Sequence, residues 1–139
     1  MWTVSTDPAL VQLDVVHDWL AGSYWSPNIR RDVLATAFAN SLVAGAYADG
    51  RQLGIARAVT DQATFAWLAD VYVAEDARGR GIARALVRTL MADPRMATLR
   101  RWLLGTRDAH GVYRALGFSP VDPQIFMQHV PDPARWTRV

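Results

Sequence analysis

The sequence contains no cysteine and no lysine among its 139 residues. Without cysteine, the chain forms no disulfide, offers no thiol nucleophile and binds no metal through thiolates. Without lysine, it cannot form a Schiff base with a substrate, and it lacks the Gly-Lys-Ser/Thr core of a Walker phosphate loop. These two absences exclude several common kinds of enzyme and metal site.

The chain also lacks any apolar run near the ~20 residues that a membrane span needs. Its opening, MWTVSTDPAL, has neither the basic start nor the long apolar run of a signal peptide. We therefore expect a soluble, cytoplasmic protein without a membrane partner. The formal net charge is only +2, so composition makes no strong case for a nucleic-acid partner.

Apolar residues are plentiful: they make up 51% of the chain and include six tryptophans. Such a composition supports a hydrophobic core and argues against disorder. The length suits a single domain over residues 1–139, and a domain of that size buries roughly two-thirds of its unfolded surface.

The most informative stretch is a strand, a short loop and a helix between residues 65 and 91. Phe65–Val73 consists of strand-forming residues that no turn residue interrupts. From Ile82 onward the apolar residues recur four apart, in one row through Leu86 and Leu90 and in a second row beside it. This spacing predicts an amphipathic helix.

The loop between them, Arg78-Gly79-Arg80-Gly81, has the composition of an anion-binding turn. The first amides of a helix have no partner within the helix, and the helix dipole makes that end partly positive. Glycines there let the backbone approach a bound anion closely. The sequence therefore predicts a phosphate-binding turn. The turn is not a dinucleotide fingerprint, because Arg84 stands where that motif needs Gly or Ala.

Two motifs carry a family resemblance. Arg78, Gly81 and Ala83 form the pattern Arg-x-x-Gly-x-Ala directly after a strand that ends Asp70-Val71-Tyr72-Val73. This pattern resembles the acetyl-CoA-binding motif of the GCN5-related N-acetyltransferases (GNATs). Downstream, Tyr113-Arg114-Ala115-Leu116-Gly117-Phe118 resembles the Tyr-x-x-x-Gly-Phe element of the same family. The resemblance covers roughly Ser41 to Val130.

The periodicities and the resemblance both indicate an α/β (α+β) fold, in which a mixed, mostly antiparallel sheet carries helices on both faces. Asp49-Gly50 suits a hairpin turn, and a helical crossover should place the fifth strand parallel to the fourth. The strands are expected at Trp2–Ser5, Ser41–Ala48, Gln52–Thr60, Phe65–Val73, Arg101–Gly105 (buried) and Ile125–Val130. The helices are expected to start at Asp7 or Asp14, at an Asn28 cap, at Ile82 and at Ala109. The Pro131-Asp132-Pro133 tail is expected to be loose.

The resemblance implies acetyl-CoA as cosubstrate and no metal. In the family, the arm of CoA lies in a cleft between two splayed parallel strands, and the loop amides hold its pyrophosphate. The residues expected to bind CoA are Val71, Tyr72, Val73, Arg78, Gly79, Arg80, Gly81, Ile82, Ala83, Arg84, Thr106 and Ala109. Thr106 departs from the family pattern, because many relatives have an Asn there that contacts the CoA arm.

Two residues are candidates for catalysis. Tyr113 matches the family tyrosine that lies near the CoA sulfur and gives the leaving thiolate a proton or a hydrogen bond; the alternative is simple aromatic packing. Asp70 is a carboxylate inside an apolar strand and is the candidate base that deprotonates the amine. Alternatively, Asp70 faces solvent or pairs with an arginine such as Arg57, and a chain of waters removes the proton.

Tyr24 and Trp25 lie between the first two helices, where the family builds its acceptor pocket, so we expect them to contact substrate unless they only pack in the core. The implied function is acetyl transfer to a primary amine of a small molecule or peptide. The alternative is a CoA-binding sensor or structural relative without catalysis. The Arg-Gly-Arg-Gly sequence by itself also suggests a nucleic-acid module, which the low net charge disfavours. The acceptor's identity and a homodimeric state are left open.

Overall fold

The computed structural model describes residues 1–138, which form five strands and four helices. In chain order these are β1 (Thr3–Ser5), α1 (Leu13–Ala21), α2 (Arg31–Ala39), β2 (Leu42–Ala48), β3 (Arg51–Thr60), β4 (Phe65–Val73), α3 (Ile82–Ala92), β5 (Arg101–Leu103) and α4 (His110–Arg114).

The strands form one sheet in the order β1-β2-β3-β4-β5. Neighbouring strands are antiparallel except β4 and β5, which are parallel and connected through α3. Asp49 and Gly50 join β2 to β3 with φ angles of 51° and 74°, the left-handed backbone that a two-residue hairpin turn of this twist requires. The predicted meander and helical crossover are thus confirmed.

The sheet separates two apolar cores. On one face of the sheet lies α3, whose apolar residues recur four positions apart. Its side chains Leu86, Val87 and Leu90 are completely buried against β2, β3 and β4. On the other face, α1 and α2 contribute the buried side chains Val16, Leu20, Leu34 and Phe38, which pack against Val43 and Ile55. This arrangement confirms the predicted fold class, a mixed sheet with helices on both faces.

A β-bulge interrupts the alternation of β4. Arg57 pairs with Ala69 and Ile55 pairs with Tyr72, so that Asp70 and Val71 together face the single residue Ala56. Asp70 has a φ of 55°, a left-handed backbone that Asp tolerates better than most residues. Because of this extra residue, Leu68 and Val71 both pack in the α3 core, whereas Asp70 turns to the opposite face with Arg57.

Three sequence-based expectations about helix starts and burial are wrong. Asp7 caps a 3₁₀ turn at Pro8–Leu10, and α1 begins at Leu13 without a side-chain cap from Asp14. Asn28 does not cap α2, which begins three residues later at Arg31. Asn28 instead adopts a left-handed φ of 58°. The β5 strand is only half-buried, because it is short and forms the edge of the sheet.

The expected last strand, Ile125–Val130, does not form. A 3₁₀ turn at Pro123–Ile125 precedes an extended segment with no sheet partner among residues 1–138, and Met127 is 98% exposed. The apolar residues of this segment resemble a strand in sequence, but a strand also needs a neighbour for its backbone groups. Pro120 and Pro123 interrupt the chain just before it and restrict its path.

The C-terminal segment is also not loose as expected. Asp132 caps a 3₁₀ turn at Pro133–Arg135, and Thr137 then pairs with Ile29 in an antiparallel bridge. The Arg30 amide donates to the Trp136 carbonyl at 2.9 Å, and the Arg138 amide donates to the Asn28 carbonyl at 2.8 Å. The tail therefore fastens the end of the α1–α2 loop.

Ending the chain at Arg135 is expected to loosen the α1–α2 loop, because it removes both hydrogen bonds of this bridge. Each is worth about 0.5–1.5 kcal/mol net, so the free energy of unfolding should fall by roughly 1–3 kcal/mol. Hydrogen exchange should accelerate in a peptide covering residues 28–30 but not in one covering β3. A chain that ends at Arg138 is the control. Equal exchange in the two truncated chains would contradict the assignment.

Candidate active site

The loop before α3 has unpaired amides, as the sequence predicted. Gly79 and Gly81 both have φ angles of 80°, and Gly81 ends the loop without a side-chain cap on the helix. None of the backbone amides from Gly79 to Arg84 finds an acceptor within residues 1–138. The front of α3 therefore presents a group of free N–H donors together with the positive end of the helix dipole.

Arg78 has a role that the sequence did not indicate. Its Nε donates to the Val73 carbonyl at 3.1 Å, and its guanidinium lies 5.3 Å from the centre of the Tyr72 ring. Tyr72 in turn stacks on Trp19 of α1. The side chain of Arg78 thus holds the loop against the end of β4, which leaves its neighbours to face an anion.

Three further arginines surround the loop. Arg80, Arg84 and Arg88 are exposed, and none forms an ion pair with a carboxylate within the described residues. Their positions follow from the helix period, which points Arg84 and Arg88 away from the buried face of α3. Their guanidinium groups add positive charge around the free amides, which stay available to an acceptor.

Gly81→Ala is expected to weaken CoA binding about tenfold, because an alanine disfavours the left-handed backbone that aims the loop amides. Gly50→Ala is a matched control, since Gly50 also has a left-handed φ and neither added Cβ would meet another atom within 4 Å. Both variants should lose roughly 1–2 kcal/mol of stability from backbone strain. Calorimetric titration with CoA should separate them, and equal affinities for CoA would contradict the loop assignment.

Beyond Trp67, β4 and β5 part from each other. Their parallel pairing ends at Trp67 and Leu103, although β4 continues to Val73. The backbone of β4 from residue 68 onward therefore has no partner in β5. The gap opens into a cleft of about 410 Å³, lined by Tyr24, Trp25, Ser26, Ile29, Arg57, Trp67, Leu68, Ala69, Asp70, Val71, Leu104, Gly105, Thr106, Asp108, Ala109 and Tyr113.

Asp70 lies in this cleft as half of an ion pair. Its Oδ2 accepts from Arg57 Nε at 2.7 Å, and its Oδ1 accepts from Trp25 Nε1 at 3.0 Å. The pair is nearly buried, with 16% of the Arg57 side chain and 7% of the Asp70 side chain exposed. This is the arginine pairing that sequence analysis left open as an alternative to a free base. Each carboxylate oxygen still has a lone-pair site for one more donor, such as an ammonium.

Tyr113 is fixed by the end of α4. The Phe118 amide donates to the Tyr113 carbonyl, and the Gly117 amide donates to the Arg114 carbonyl, both at 3.0 Å. With Gly117 at a φ of 95°, these two bonds form a Schellman motif, which brings the Phe118 ring edge-on to Tyr113 at 5.9 Å. The Tyr-x-x-x-Gly-Phe pattern thus has a physical basis as a helix end that orients its tyrosine.

Burial and, secondarily, the nearby Tyr24 raise the pKa of the Tyr113 phenol above its ordinary value. The phenol therefore stays protonated through the neutral range. It lines the same cleft as Asp70, so the structure brings both predicted catalytic residues together.

Tyr24 and Trp25 form one wall of the cleft, and their rings meet edge-on at 5.0 Å. The Tyr24 hydroxyl accepts from the Arg107 amide at 3.0 Å, and the Arg107 guanidinium lies 4.0 Å from the centre of the Tyr24 ring. These contacts tie the α1–α2 loop to the β5–α4 loop. Sequence reasoning missed two residues of the site. No local pattern marks Arg107, whereas Trp67 could have been found, because it belongs to the strand β4 that was already assigned to the site.

Thr106, which stands at the Asn position of many relatives, uses its hydroxyl within the chain. Its Oγ1 accepts from the Ala109 amide at 3.1 Å just before α4, and both residues line the cleft. The three histidines do not converge: His17 is buried with Nε2 2.8 Å from the Ile29 carbonyl oxygen, whereas His110 and His129 are exposed. Over residues 1–138, no cluster of three or more His, Asp or Glu side chains is suited to a metal.

The fold and the cleft define a class of protein, the acetyltransferases built on a sheet with two splayed parallel strands. The acetyltransferase (GNAT) domain family matches residues 39–120, more than half of the chain. The chain therefore belongs to the GNAT family. Over residues 1–138, no helix has the length and apolar character needed to cross a membrane.

Individual relatives agree with this assignment. A crystal structure of a candidate GNAT acetyltransferase from Xanthomonas campestris is 40% identical, covers 94% of each chain and superimposes with a TM-score of 0.91. A candidate acetyltransferase of Gibberella zeae is 30% identical in an alignment of length 109 that covers 64% of this chain and 62% of the fungal protein. A candidate acetyltransferase of Clostridium acetobutylicum, solved with acetyl-CoA, shares the fold at 15% identity and a TM-score of 0.68 over 92% of this chain and 96% of that chain.

Proposed function

We propose that the protein transfers an acetyl group from acetyl-CoA to a primary amine by direct attack. Two observations together carry this proposal: the row of unpaired amides from Gly79 to Arg84, in the loop that follows β4 along the chain, and the cleft that β4 lines where it parts from β5. Free N–H donors at a helix N-terminus suit a diphosphate, and an unpaired strand edge suits an extended arm that contains amides. The Clostridium acetobutylicum relative with acetyl-CoA supports the choice of cosubstrate.

In this proposal, the residues of the cleft act on a thioester placed beside β4. The amine nitrogen attacks the carbonyl carbon, and the backbone amides near Val71 stabilise the negative charge that develops on the oxygen. The C–S bond then breaks, the thiolate accepts a proton from the Tyr113 phenol, and the amine proton leaves through Asp70 or through water. The products are an amide and CoA with a free thiol.

A primary amine with a pKa of about 10 is mostly protonated at neutral pH, so it has to lose a proton before attack. Asp70 accepts hydrogen bonds on both oxygens, yet it can still bind an ammonium. Asp70 is the carboxylate that sequence analysis selected as the base, and its oxygens already accept hydrogen bonds from Trp25 and Arg57. Because these bonds occupy the candidate base, they also favour a second candidate function, a CoA-binding relative without catalysis.

Thiol release distinguishes the two functions. The chain has no cysteine, so a thiol reagent detects released CoA without a signal from the protein itself. Release from acetyl-CoA that depends on an added amine, with the acetylated amine identified by mass spectrometry, supports the transferase. Thermal stabilisation by CoA of roughly 2.7 kcal/mol at 100 times its Kd, without release for any amine of a broad panel, supports the non-catalytic relative.

A further inference from the structure

Three partly exposed aromatic side chains line the cleft. Tyr24, Trp25 and Trp67 are 42%, 40% and 41% exposed. Large aromatic side chains usually lose most of their exposure in a fold, and a group of them around a concave site indicates a ligand with apolar surface. Tyr24 and Trp25 come from the α1–α2 loop and Trp67 comes from β4, and all three line one cleft.

Two of the three rings are held in place by separate contacts. The Trp25 indole N–H donates to Asp70. The Tyr24 hydroxyl accepts from the Arg107 amide, and the Arg107 guanidinium lies over the Tyr24 ring. The Trp67 ring lies against the backbone of Gly105, where a Cβ would sit 3.6 Å from it. The wall is therefore preformed, and a flat ligand would bind it with little further loss of side-chain freedom.

The charges of the cleft are largely compensated. Among the described residues that line it, Arg57 is the sole cation, and its guanidinium already contacts Asp70 and the Ser41 hydroxyl. The described residues that line the cleft thus offer no unpaired cation to a substrate carboxylate or phosphate, and the nearby Arg107 guanidinium, which does not line it, contacts the Tyr24 ring. The anions are the paired Asp70 and the exposed Asp108, which suit a single ammonium.

We propose that the acceptor is a small primary amine carried on an aromatic, flat apolar skeleton without a carboxylate or phosphate. This inference rests on the proposed function and names its substrate class. In the bound complex the rings of Trp25 and Trp67 contact the skeleton, and the ammonium lies next to Asp70 before it loses its proton. The volume of about 410 Å³, shared with the thioester end of CoA, limits the skeleton to one or two rings.

Pairs of amines that differ in one group test the substrate class. In the thiol-release assay, kcat/KM for 2-phenylethylamine should exceed that for phenylalanine, which adds a carboxylate, and that for butylamine, which lacks the ring, by about tenfold or more each. Glucosamine 6-phosphate and spermidine should be poorer still. Equal or higher kcat/KM for any of these four competitors would overturn the inference while leaving acetyl transfer intact.

A variant of the wall gives an independent readout. Trp67→Leu should raise KM for 2-phenylethylamine several-fold and leave KM for butylamine unchanged. Phe65→Leu is the matched control, because Phe65 is similarly exposed two residues away on β4 but does not line the cleft. An equal effect of Trp67→Leu on both amines would overturn the assignment of this wall. Absence of release with every amine would instead overturn the proposed function, and this inference with it.

Discussion

Replacing Tyr113 by phenylalanine is expected to lower kcat for acetyl transfer about 100-fold while changing the Kd of CoA less than twofold. The substitution removes only the phenol hydroxyl, so the Schellman motif and the packing on Phe118 are kept. A positioned general acid is worth 10²–10⁴ in rate, and the leaving thiolate would now have to take its proton from water. Single-turnover thiol release and calorimetric titration with CoA measure the two quantities.

Tyr47→Phe provides the control for Tyr113→Phe. The Tyr47 hydroxyl is buried in β2 and has no hydrogen-bond partner within the described residues. Its removal should leave kcat unchanged and stabilise the fold slightly, since an unpaired buried polar group is costly. If Tyr113→Phe matches this control in kcat, Tyr113 does not donate the proton.

The pH profile adds a second check on the same residue. The pKa of Tyr113 is raised, so the protonated, active form persists above the ordinary tyrosine value of about 10 and is lost only as pH rises further. The wild type should therefore lose kcat on the alkaline side only above that value. Tyr113→Phe should lack this alkaline decline. An alkaline decline of the same shape in both proteins would assign it to another group.

Asp70→Asn is expected to cost about 3–5 kcal/mol of folding stability, because it leaves the charge of Arg57 nearly buried without its partner. Asparagine matches aspartate in size and tolerates the left-handed φ of the bulge, so backbone strain does not add to the effect. Urea unfolding of the variant measures the loss. A change below 1 kcal/mol would mean that water solvates the pair in solution.

The double variant Arg57→Met with Asp70→Asn separates stability from catalysis. Removing both charges leaves no unpaired ion, so most of the stability should return. If Asp70 takes the amine proton, the stable double variant should still be at least tenfold slower than wild type in single-turnover transfer. Recovery of both stability and rate would show that water, and not Asp70, removes the proton.

Sequence reasoning succeeded where the signal is local. The strand Phe65–Val73, the loop and α3 lie within one continuous stretch, in which two glycines mark the loop and a change of period marks the start of the helix. The hairpin at Asp49-Gly50 is equally local, because left-handed turn residues are recognisable from their type. The fold class follows from such stretches once the helical crossover fixes the direction of β5.

It failed where distant segments decide the outcome. Asn28 is a residue type that often caps helices, but Ile29 pairs with Thr137 in an antiparallel bridge, and α2 begins only after it. The run Ile125–Val130 has strand-forming residues, but the described chain supplies no neighbour for it. The face on which Asp70 lies depends on a bulge that a strict two-residue period cannot reveal. The contact of Tyr24 with Arg107 joins residues 83 positions apart.

The exposed arginines around the loop have a chemical consequence for a protein that handles an activated acyl group. A guanidinium keeps its charge at every pH used in such assays, whereas a lysine ammonium loses its proton near pH 10 and becomes a nucleophile. Under the proposed function, Arg80, Arg84 and Arg88 would attract the polyanionic acetyl-CoA without reacting with its thioester, and the absence of lysine would limit acylation of the protein's own side chains. Incubation with acetyl-CoA alone should accordingly leave unchanged the mass of every tryptic peptide except the one that carries the N-terminal amine.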